Sequence, residues 1–235
     1  MPLAARLVLG LQALLASAVL VGLALRGRLR HSVFFAAYMA TVVFGVLIAI
    51  RPDFYNWRQW LIWQTVQVAL KVGILLELGT HIFSPFPGAL ATMRGAVVVL
   101  LLATTVGAFI SLQAGVETLP DFALRAVPVT SQGVAWGYAL LLALAIWFMV
   151  PLDSWRKAIL GGMAVYMMAF TVVLEIVSRW RGMRRPVSNL NMGAYVLLLV
   201  YWNWAAWRPD SDDDADVDRI RREIPLRLAA RGPRP

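Results

Sequence analysis

Cysteine is absent from the 235 residues. Its absence removes disulfides, thiolate nucleophiles and any reading of the redox compartment. Charge is scarce, at 15% of residues against about 25% in an ordinary soluble domain. Histidine occurs only at His31 and His81, and lysine only at Lys71 and Lys157. No aspartate falls inside a long apolar run, which excludes an intramembrane aspartyl dyad. Neither H-E-x-x-H nor G-x-S-x-G occurs, so zinc-protease and nucleophile-elbow chemistry lack their residues. Phosphate-cradling glycine patterns are missing too, and Gly161-Gly162 reads as helix packing. No catalytic residues and no metal site emerge, and an enzyme is the least favoured class.

What is present is hydrocarbon, with 60% of the residues hydrophobic. A bilayer core takes roughly 20 apolar residues per helix. Seven stretches qualify, at about 3–25, 32–50, 58–80, 93–113, 133–151, 158–178 and 189–207. The expected fold is therefore all-α: a polytopic seven-helix transmembrane bundle with short loops. A short polar C-terminal tail, 208–235, follows. All twelve prolines lie at the ends of these stretches, in the connections or in the tail. Uninterrupted helices are predicted, because a spanning backbone must satisfy its own hydrogen bonds. Residues 1–18, with Arg6 and Ala16-Ser17-Ala18, resemble a signal peptide. The apolar run continues to Leu25, however, so a retained first span is expected.

The net charge of +9 resides in short connections between the apolar runs. There it sets orientation and meets anionic headgroups rather than nucleic acid. The R-G-R-L-R connection favours an outer N-terminus and an inner C-terminus, whereas the arginines of 179–185 disagree. The expected setting is multi-pass in a membrane, read as a bacterial cytoplasmic membrane. The expected partners are the lipid bilayer and either other membrane subunits or a second copy. Trp57, Trp60 and Trp63 open the third stretch, and Trp202, Trp204 and Trp207 close the seventh. They read as an interfacial aromatic belt.

The third stretch carries the most information. At about 100° per residue, and measured from Gln64, Trp60 lies at about −40°, Gln67 at about −60° and Lys71 at about −20°. These four share one face. Glu77, at about −140°, lies off it. Glu77 and His81 are four residues apart and can meet each other. A mid-span charge costs several kcal/mol, so Lys71 should face the bundle interior. Twenty of the 22 basic residues are arginine, which cannot lose its proton, and the deep one is lysine, which can. Lys71 with Gln64 and Gln67 is thus either a housed lysine or a ligand or proton site. Glu175 is the other in-span acid, and Arg179 four residues on is its expected partner. His31 and His81 fall at one predicted face, where a pair of histidines can ligate haem. Interfacial histidines are more often structural, and no cofactor is identified.

Retinal proteins carry their lysine on the last span, and the last span here has none, so that resemblance stops at the span count. In the tail, Asp212, Asp214, Asp216, Asp218 and Glu223 fit a calcium-loop frame, but Val217 stands where the turn glycine belongs. Three classes remain. First is a sensor, scaffold or accessory subunit of a membrane complex. Second is a small-solute or proton transporter built on the polar stripe. Last comes a membrane enzyme, beside the less favoured pigment-, haem- or quinone-binding subunit.

Overall fold

The computed structural model describes residues 3–49, 57–84, 87–113, 119–148, 150, 152–180 and 184–209. They form helices α1 (Leu3–Leu25), α2 (Val33–Ala49), α3 (Trp57–Phe83), α4 (Pro87–Gln113), α5 (Leu119–Trp147), α6 (Ser154–Arg179) and α7 (Arg184–Trp207). A 3₁₀ turn, Arg28–His31, joins α1 to α2. Each helix falls on one of the apolar stretches. Four are long and apolar enough to cross a membrane: Arg6–Leu25, Leu61–Phe83, Val129–Trp147 and Ser154–Ile176. Val33–Ile48 and Leu90–Val99 are shorter apolar segments. The chain is accordingly a multi-pass, all-helical membrane protein over its described residues.

The largest departure from the sequence expectation is at α5. Residues 119–132, expected as a connection, are helical, and the helix ends at Trp147 rather than 151. Pro120 occupies the first turn, where its missing N–H costs nothing. Pro128 lies inside the helix and precedes the apolar segment Val129–Trp147. It removes one backbone donor there without ending the helix.

The helices close into a ring. α1 packs on α2 and α7, α2 on α3, α3 on α5, α5 on α6 and α6 on α7. α4 stands outside, against α3 and α5. Side chains finish the helix ends. Gly27 takes a left-handed conformation, φ +66°, just past α1, which a residue with a Cβ resists. Asp153 caps α6 by accepting from the Arg156 amide at 2.7 Å, and its carboxylate also pairs with the Arg156 guanidinium. Glu77 reaches across from α3 to cap α2, accepting from Val33 N at 2.8 Å and Phe34 N at 3.1 Å.

One half of the ring is solidly packed. Phe35 meets the rings of Trp155 and Trp202 edge to face, with centroids 5.4 Å and 5.0 Å away. Both indoles are satisfied: Trp155 Nε1 donates to Ser32 Oγ at 3.0 Å and Trp202 Nε1 to Ala158 O at 3.1 Å. At this end Arg28 lays its guanidinium on the last carbonyls of α7. It donates to Ala205 O at 3.1 Å and Ala206 O at 3.4 Å, and to Arg208 O, just past the helix end, at 3.3 Å. Arg26 donates to Trp207 O at 3.0 Å. These carbonyls have no partner within their own helix.

A candidate ligand cavity around Lys71

The other half of the ring is hollow. A cavity of about 340 Å³ lies among the starts of α1, α3 and α7 and the ends of α2 and α6. α3 turns its polar stripe into it: Gln59, Trp63, Gln64, Gln67 and Lys71 all line the wall. The helical spacing that groups Gln64, Gln67 and Lys71 on one face therefore holds in three dimensions. Lys71 sits deepest on α3 and is 7% exposed. Its Nζ lies 5.9 Å from the Tyr38 ring centroid and 5.7 Å from that of Phe170. Both are cation–π distances. Its carbonyl accepts the buried Tyr138 hydroxyl of α5 at 2.8 Å.

The remaining wall comes from residues that sequence reading did not single out. α1 gives Gln12, α2 gives Tyr38, α6 gives Tyr166 and Phe170, and α7 gives Asn191 and Tyr195. Tyr195 OH donates to Tyr38 OH at 3.3 Å, and Asn191 hydrogen-bonds Tyr166. Gln12 is 7% exposed, a buried amide in a first helix that is otherwise mostly apolar. A signal for it existed: a lone amide inside an apolar run faces the bundle interior for the same reason as Lys71.

The balance of charge is the telling feature. Five amides, three phenols and one lysine line the cavity, and no acidic side chain does so among the described residues. The arrangement offers hydrogen-bond donors and acceptors and a single buried amine that can carry a proton.

The other sequence candidates lie elsewhere. Glu77 is not in the cavity wall; its carboxylate is spent on the α2 amides. His81 stands beside His31, their rings edge to face with centroids 6.4 Å apart. Glu175 is on the exposed face of α6, outside the cavity wall. The side chains of Arg179, Trp57 and Trp60 fall outside the described residues, as does the calcium-like frame of the tail. Trp204 and Trp207 are exposed at the end of α7. Trp202, grouped with them on sequence, is fully enclosed in the packed half. The difference is one of helix face, since Trp202 turns inward against α2 and α6.

The chain matches no protein-family model, no curated protein and no solved structure.

Proposed function

We propose that this protein is a ligand-binding membrane protein, a sensor whose bundle accepts a small solute bearing an anionic group against Lys71. The observation that carries this reading is a buried lysine in a cavity wall without a carboxylate. Two charges about 4 Å apart near an effective dielectric of ~20 attract by roughly 4 kcal/mol. A neutral hydrogen bond nets only about 1 kcal/mol. The lysine therefore decides the sign of the ligand, and the surrounding amides and phenols decide its shape. The volume lies at the small end of ligand pockets, roughly 300–1,000 Å³. A lysine packed dry against apolar neighbours would have weighed for a scaffold or accessory subunit instead.

Sensing is favoured over transport by the other half of the ring, where Phe35, Trp155 and Trp202 fill the space below the cavity. A transporter is the second reading, since the cavity gives a solute somewhere to sit within the bundle.

Thermal unfolding in lipid nanodiscs tests the proposal, with butanoate and succinate set against their uncharged amides. A ligand at ~100 times its Kd stabilises by about 2.7 kcal/mol. The carboxylates should raise the midpoint, the amides should not, and Lys71→Met should abolish the rise while keeping the fold. A rise that survives Lys71→Met sinks the assignment. Counterflow uptake of the same carboxylates into proteoliposomes would overturn sensing in favour of transport.

A further inference from the structure

The wall between the cavity and the lipid-facing surface is thin at one place, and a second void lies just beyond it. On the outer face of α6 and α7 runs an apolar crevice of about 510 Å³, bounded by Gly161, Val165, Ala169, Ala194 and Leu197. Tyr166 borders both spaces. The helix registers explain the adjacency. On α6, Val165 and Ala169 line the crevice while Tyr166 and Phe170, one residue on, line the cavity. On α7, Ala194 lines the crevice and Tyr195 the cavity.

The partition is a single layer of aromatic rings. Tyr166 stacks on Phe170 with centroids 6.0 Å apart and planes 17° apart. It leans on Tyr195 at 5.2 Å. Two hydrogen bonds hold the layer, Asn191 to Tyr166 and Tyr195 to Tyr38. Both are bonds between side chains, so rings can turn aside without unwinding either helix. Chemistry divides sharply across this layer. Inside are the cation and the amides; outside, only small and aliphatic side chains and the edges of tyrosines.

Resting on the ligand reading above, we infer that the natural ligand is a single-chain amphiphile with a carboxylate head. Its head meets Lys71, and its tail leaves between α6 and α7 past Tyr166. The crevice exists because Gly161, Ala169 and Ala194 withhold side-chain volume along a line that an alkyl chain can follow. Access is then lateral, from the bilayer, where such a ligand is already dissolved.

The test uses two photoreactive probes on the full chain in phosphatidylcholine nanodiscs: dodecanoate with a diazirine at its far end, and butanoate with the same group. The long probe should label 161–169 and 194–201, competed by unlabelled dodecanoate and lost in Lys71→Met. The short probe should label cavity residues of α2 and α3. Filling the crevice with Ala194→Trp, or with Ala169→Phe should the first variant misfold, should cut long-probe labelling by about tenfold. That factor corresponds to about two methylenes left unburied. The short probe should be unaffected. Long-probe labelling spread over all lipid-facing helices, with short-probe labelling intact, would overturn the tail path and leave the anion cavity standing. Failure of both probes to give Lys71-dependent labelling would overturn both.

Discussion

The Tyr138 hydroxyl of α5 donates to the backbone carbonyl of Lys71 on α3 at 2.8 Å, both residues being buried. The bond ties α5 to the turn of α3 that presents the lysine. Removing it with Tyr138→Phe should cost about 1 kcal/mol, seen as a lower unfolding midpoint in detergent. Carboxylate-induced stabilisation should fall as well, because the lysine is then less firmly placed. An unchanged midpoint would show that the bond contributes nothing net.

Glu77 and Lys71 share a helix but face different surroundings, the α2 amides and the cavity, and substitution should separate them. Glu77→Ala strips α2 of its cap and should destabilise by about 1 kcal/mol, within the usual range for a lost helix cap. Glu77→Gln keeps one acceptor oxygen and should recover much of that loss. Neither change should alter which ligands raise the midpoint. If Glu77→Gln abolishes ligand stabilisation, the carboxylate belongs to the binding site after all.

Two adjacent glycines on α6 give opposite expectations. A Cβ on Gly161 meets nothing within 4 Å. One on Gly162 would fall 2.6 Å from Trp202 Nε1, the atom that donates to Ala158. Gly162→Ala should therefore destabilise by about 1–3 kcal/mol, as overpacking does. Gly161→Ala should be neutral or mildly stabilising, since alanine is the better helix former. Chemical denaturation of the two variants side by side decides it; equal midpoints would contradict the packing described.

Gly45 presses on a residue of the cavity wall. A Cβ there would lie 2.3 Å from Trp63 Cζ2, so the indole must move. Gly45→Ala should weaken carboxylate binding by about tenfold, taking about 1–2 kcal/mol for the displaced ring. Gly73 offers the control. Its Cβ would meet Phe34 at 2.3 Å, but Phe34 is 45% exposed and can rotate outward, so binding should be retained. Isothermal titration of both variants with the same carboxylate reads the contrast.

Arg28→Lys should not replace arginine, since an ammonium lacks the planar fork that spans three carbonyls. Hydrogen exchange in the last turn of α7 should rise in Arg28→Lys and further in Arg28→Ala. Exchange in α6 should stay as it is. Equal protection in all three proteins would show that Arg28 does not hold the end.

Much of the helical layout was legible because hydrocarbon length and backbone satisfaction are properties of a single segment. The stripe of Gln64, Gln67 and Lys71 was legible for a related reason: three residues on one helix face keep their angular relation wherever that helix packs. Tyr38, Phe170 and Asn191 were not, because their meeting with Lys71 depends on how four helices close into a ring. Trp202 shows the same limit. An indole near a helix end suits an interface and a core equally, and only the neighbouring α2 and α6 select the core. Residues 119–132 misled for another reason, since two prolines signal a break when helix propensity is considered alone.

The Arg28 clamp also fixes how α7 can move. With its last carbonyls held to the turn after α1, a tilt of the helix would have its fulcrum beside Ala205. Tyr195 lies ten residues away, about 15 Å along the axis. A tilt of about 10° about that fulcrum, directed away from α6, would displace Tyr195 by roughly 2.6 Å over this arm, enough to part it from the Tyr166 ring. Arg208, whose carbonyl Arg28 also holds, lies beside the fulcrum and would experience the same event as a small rotation rather than a push.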